Sequence, residues 1–178
     1  MIPVEYFWFA LIFMLGIIGA VRGLSKELGV TTLLTLSLFV LKFVWSRFQP
    51  TVTSLAAGSP LGLSFEGIRA IVFSVVILFV AFISYEGFVL TFPFKEQKGF
   101  LKGFFGFVGG LLNGYLVIGT VWYFLEITNY PFPPSILSRP EAGTVSAEFV
   151  RYLPLVWLSP YLKFLLPAAM LLVSIMFV

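Results

Sequence analysis

A chain of 178 residues that is 60% hydrophobic and only 11% charged carries more apolar surface than so small an interior can cover, and its mean hydropathy of +1.05 points to lipid as the solvent. The net charge of +3 sits at the edges of apolar runs, which assigns it to topology and headgroups and argues against a nucleic-acid surface. With no His and no Cys the chain has no basis for disulfides, His-ligated haem, iron–sulfur clusters, the usual zinc sites, or Ser-His and Cys-His nucleophiles.

The first apolar run, Val4 to Val21, is long enough at about 1.5 Å per residue to cross a hydrocarbon core of about 30 Å. Tyr6 and Trp8 stand at its start, where interfacial aromatics belong. Met1 to Glu5 holds no Lys or Arg, so the charged leader of a signal peptide is missing and the first helix is expected to be retained. The second run, Leu28 to Trp45, is made less apolar by Thr31, Thr32, Thr35 and Ser37, with Lys42 placed to snorkel and Arg47 and Pro50 closing it. Thr51 to Gly67 reads as a loop with a Gly58-Ser59-Pro60 turn, its apolar residues able to form a short interfacial helix.

The third run, Ile68 to Phe92, is followed by a basic connection of Lys95, Lys98 and Lys102. The fourth, Gly99 to Ile127, opens glycine-rich. A polar, proline-containing loop over 127–152 is the clearest break in the chain. The remaining 153–178 is apolar but interrupted by Pro154, Pro160 and Pro167; it is either a fifth span or an interfacial or re-entrant segment. The expected fold is therefore all-α, with four to five transmembrane helices. The density of Lys and Arg in the short connections after the first and third runs places these inside and the N-terminus outside.

Two glycine series mark helix faces. Gly16, Gly19 and Gly23 recur at spacings of three and four, and so do Gly99, Gly103, Gly106, Gly110 and Gly114. Residues so spaced share one face, and a face without side chains lets another helix approach closely, a main source of attraction between helices in lipid. Three uses are open: packing within the chain, a homo-oligomeric interface, or a backbone-lined path. The GxxGxxxGL strings at Gly16 and Gly103 also echo each other, through duplication of a helix pair or by coincidence.

Ionisable residues near the membrane complete the candidates. Arg22, Lys26 and Glu27 cluster between the first two runs, as a charge group that fixes topology, a cytoplasmic contact site, or an Arg22–Glu27 pair. Glu86 lies about six residues before Phe92 and is the expected intramembrane carboxylate. Without Asp, paired carboxylates would have to be built from Glu alone, and no catalytic or metal-binding constellation is visible. No cofactor is expected.

The string Gly19-Ala20-Val21-Arg22-Gly23-Leu24-Ser25-Lys26-Glu27-Leu28 resembles the GxxRGxxxEL signature of the CvpA (colicin V production) membrane proteins. The block from Lys102 to Gly114 resembles that family's second glycine-repeat region, and the order and separation of the blocks also fit. The resemblance covers about residues 1–126. The chain departs from the pattern in having no Asp near either block and Asn113 where an Arg is often found. The resemblance implies a four-helix domain over 1–126 in the bacterial inner membrane, a non-enzymatic part in colicin V production or export or in envelope maintenance, and no cofactor. Expected partners are the bilayer, a second copy or other membrane proteins, with a small transporter or channel component using Glu86 as the alternative.

Overall fold

A computed structural model describes residues 4–57, 64–87, 90–92, 98–130, 139–141 and 143–162, with isolated positions at 164, 167, 171 and 174. Four helices are long and apolar enough to cross a membrane: α1 (Val4–Arg22), α2 (Leu24–Ala57), α3 (Phe65–Glu86) and α4 (Phe100–Ile127). Two five-residue helices follow, α5 (Val145–Phe149) and α6 (Pro154–Leu158), joined by a 3-10 turn over Val150–Tyr152. No strand occurs among the described residues, and the chain is an all-α membrane protein.

The helices run alternately up and down. Ile12 of α1 lies against Gly114, and Gly19 against Gly106, so α1 and α4 are antiparallel. Glu27 of α2 meets Tyr85 and Asn113, while Trp45 meets Phe73, so α2 runs with α4 and against α3. The α4 helix is the centre: over half of its span is buried, against less than a third of each other span. Its partners present helical stripes, with Val30, Leu34 and Leu38 on α2 and Phe73, Ile77 and Ala81 on α3. The outward faces carry Phe79, Phe82, Phe104 and Val108, which would aggregate in water and are at home in lipid.

Several boundaries differ from the sequence reading. The second helix does not stop at Pro50 but passes through it to Ala57. Proline removes one amide and frees the carbonyl four residues back, and that carbonyl belongs to Ser46, an exposed residue whose surroundings can hydrate it. The Gly58-Ser59-Pro60 turn lies outside the described residues. The third helix starts earlier than Ile68, at an N-cap where the Ser64 hydroxyl accepts from the Gly67 amide, and it ends at Glu86, capped by Gly87, rather than at Phe92. Of the expected fifth span, 153–178, the part after Leu162 lies outside the described residues except at isolated positions.

The end of the bundle opposite the α1–α2 corner is tied by aromatics. Trp8 stacks on Trp122, with ring centroids 6.0 Å apart, and Trp122 donates to the Tyr130 hydroxyl at 2.8 Å. Burial pushes the Tyr130 phenol above the usual tyrosine range, so it stays protonated. The α5–α6 segment bridges α1, α4 and α2: Phe149 packs on Phe9, Trp157 donates to Tyr115, Pro154 sits over Gly119, and Lys42 donates to Ser159.

Candidate functional site

One residue, Gly23, separates α1 from α2. Its φ of +87° is a conformation that side chains resist, and it lets the chain turn a corner without a loop. The Gly23 amide still donates to Gly19 O, and Glu27 N donates to Gly23 O, so the corner leaves few orphan groups. It also brings Arg22, the last residue of α1, beside Glu27, in the first turn of α2.

Glu27 is fully buried. Its Oε2 accepts from the Tyr85 hydroxyl at 2.9 Å and from Asn113 Nδ2 at 2.8 Å. Its Oε1 faces Arg22 Nε at 3.6 Å. The same Asn113 Nδ2 reaches Glu27 O at 3.0 Å, so one amide grips both the side chain and the backbone of α2. The Thr31 hydroxyl, with a single proton to give, lies within reach of Asn113 Oδ1 at 2.7 Å and Glu27 O at 3.0 Å. Arg22 donates to Ser84 O at 2.8 Å and lies over the Tyr85 ring at 4.4 Å. The Ser25 hydroxyl donates to Phe92 O. This is a charged pair held by all four long helices, and the polar atoms around it are mostly matched, as burial in low dielectric demands.

Glycines make the space for it. A methyl at Gly109 would stand 2.8 Å from Glu27 Cβ. Methyls at Gly16, Gly19, Gly106 and Gly110 would each come under 3.0 Å from atoms of the facing helix: Leu111 and Phe107 for Gly16, Gly106 and Gly110 for Gly19, Gly19 O for Gly106, Leu15 O for Gly110. Gly114 meets Ile12, and Gly23 meets the Lys102 stem. Gly103 is the loosest, with Ala20 O at 4.0 Å, and Gly99 opens α4 with nothing near it. The two glycine faces thus close on each other within the chain.

Of the ionisable candidates, the structure brings Arg22 and Glu27 together and leaves Lys26 exposed. Glu86 is exposed at the last position of α3, because Tyr85 before it takes the inward direction and the helix turns about 100° per residue. The carboxylate enclosed by the bundle is Glu27. Sequence reasoning did not single out Tyr85, Thr31 or Gly109. The signal for Asn113 was present: an amide in the middle of a glycine series on an apolar helix is costly unless it is paired.

The knot of polar contacts around Glu27 thus joins the two glycine-containing blocks, far apart in sequence, with Thr31 of α2 and Ser84 and Tyr85 of α3. No family model matches the chain, and neither a curated protein nor a solved structure matches it.

Proposed function

We propose that the chain is a non-enzymatic bacterial inner-membrane protein of the CvpA type, serving colicin V-type toxin export or envelope maintenance as a packed helical unit. One observation carries this reading. The two blocks that resemble that family, Gly19–Leu28 and Lys102–Gly114, form a single contact in which Gly19 meets Gly106 and Gly110 while Glu27 is held by Asn113. Residues that look like a sequence signature are thereby given a shared physical task.

The reading places the glycine faces inside the unit, so contacts with a second copy or other membrane proteins fall to its aromatic outer surface and to the exposed Lys26 beside the corner. A transport role at Glu86 has less support. The enclosed carboxylate, Glu27, has Tyr85, Asn113 and Arg22 on it, an arrangement suited to a fixed tie rather than to a group that exchanges its cargo.

The test is complementation in a strain lacking its CvpA protein, scoring colicin V secretion and resistance to bile detergent. The chain should restore at least one of the two, and Gly106→Leu, at equal membrane abundance, should not. Failure of the unaltered chain to restore either, while inserted at normal levels, would overturn the proposal.

A further inference from the structure

A second polar feature lies at the opposite end of the bundle from the Glu27 knot. Lys42 comes 18 residues into α2, at about 27 Å from the corner, which is close to one hydrocarbon thickness. Arg69 lies in the second turn of α3 and Tyr123 one turn before the end of α4. These three, with Trp45, Phe73, Phe124, Leu155 and Ser159, line a crevice of about 100 Å³.

The crevice has an excess of donors and of positive charge. Lys42 Nζ donates to Ser159 O and Oγ, both at 2.6 Å, but among the described residues it meets no carboxylate. Arg69 pairs with Glu66, one turn away on α3 and like it half-buried, at 3.2 Å, so the local sum is one net positive charge. The buried Trp45 Nε1 donates to nothing among the described residues. A cation that only served to tie α2 to Ser159 would not need a second cation beside it.

A second groove, of about 420 Å³, adjoins the crevice and shares Lys42 and Ser159 with it. Its other walls are Phe39, Phe43, Ser46, Pro160 and Leu162, mainly apolar and on the membrane-facing side of α2. A small cationic crevice at headgroup level continues into an apolar groove of ligand size. Free phosphate would use only the first, whereas a phospholipid would use both.

We infer that the crevice between α2, α3, α4 and α6 binds the phosphodiester of an anionic phospholipid between Lys42 and Arg69, with one acyl chain in the groove along Phe39 and Phe43. The phosphate adds the counter-charge that Lys42 lacks among the described residues, and Arg69 offers it a guanidinium fork. Tyr123 and Ser159 supply neutral hydrogen-bonding groups at the rim. Basic pockets between transmembrane helices recognise headgroups by this chemistry.

Native mass spectrometry of the full chain in mild detergent tests the site, using phosphatidylglycerol and phosphatidylcholine with identical palmitoyl-oleoyl chains, and inorganic phosphate alone. The wild type should retain phosphatidylglycerol about tenfold more tightly than phosphatidylcholine. Lys42→Gln combined with Arg69→Gln should bring that ratio to near one, while Lys98→Gln at the other end leaves it unchanged. Equal retention of the two lipids by the wild type overturns the inference and needs no variant to fold. So does a thermal stabilisation by inorganic phosphate equal to that by phosphatidylglycerol, or an unchanged ratio in the doubly substituted protein.

Discussion

A carboxylate and a guanidinium taken out of water together cost several kcal/mol each before they attract one another. Arg22 and Glu27 recover part of that cost from each other and from the hydrogen bonds of Asn113, Tyr85 and Ser84, although Arg22 Nη1 and Glu27 Oε1 make none among the described residues. The consequence is a ranking. Arg22→Leu leaves an enclosed carboxylate and should destabilise the bundle by about 3–5 kcal/mol. Asn113→Leu leaves the pair but strips donors from Glu27, and should cost about 1–3 kcal/mol. Arg22→Leu with Glu27→Leu removes both charges and should be more stable than Arg22→Leu alone. Unfolding in detergent micelles by denaturant measures all three, and a double variant less stable than Arg22→Leu would refute the ion-pair account. At this scale the sequence was half legible. The Arg22–Glu27 spacing suggested a pair, but the depth of Glu27 depends on Tyr85 and Asn113, which come from helices 58 and 86 positions away, and local spacing does not encode that.

Helices α1 and α4 show a different kind of legibility. The glycine spacings in each specify one smooth face, and two smooth faces in one chain find each other because close backbone packing is the main reward available in lipid. The tolerance along that contact is uneven. Gly106→Ala puts a methyl against Gly19 O and Gly23 Cα and should cost about 1–3 kcal/mol. Gly103→Ala, three residues earlier on the same helix, meets only Ala20 O at 4.0 Å, and should be neutral or up to about 1 kcal/mol stabilising through helix propensity. Thermal unfolding of the two variants side by side decides this, and equal effects would mean that the faces are not in the contact described. Helix ends were less legible. Pro50 looked like a terminus, yet a proline ends a helix only where its freed carbonyl cannot be satisfied, and the surroundings of Ser46 are set by the tertiary fold and the membrane boundary.

Across the whole molecule, composition alone gave the solvent. What it did not give was which of the four apolar helices sits in the middle. Mean hydropathy does not pick out α4, which shares the value of 1.6 with α1 while α3 reaches 2.5, and the burial of α4 follows from its small residues, which let three partners approach at once. The same distinction predicts accessibility. Spin labels at single cysteines replacing Phe79 and Phe82, both exposed on α3, should collide freely with lipid-dissolved oxygen in liposomes. Labels replacing Ile77 of α3 and Leu34 of α2, both fully buried, should be shielded. Comparable oxygen collision rates at the two sets would mean that α3 is rotated from the orientation described. The α5–α6 segment was the part least available to sequence reading. Its prolines and short apolar stretches fit several placements, and the choice is made by contacts with Phe9, Tyr115, Gly119 and Lys42.

The glycine contact between α1 and α4 also sets a timetable. Gly19 and Gly23 leave the ribosome well before Gly106 and Gly110, about 85 residues ahead, a gap of about 4–17 s at ordinary rates of synthesis. For that interval α1 has no partner for its bare face, and Glu27 lacks Asn113 throughout and Tyr85 until α3 has been made. The first two helices are therefore complete while their corner is only partly matched, and the glycine contact can close only once α4 arrives. A chain truncated after α3 keeps the Arg22–Glu27–Tyr85 contacts but leaves the bare face of α1 open and Glu27 without Asn113.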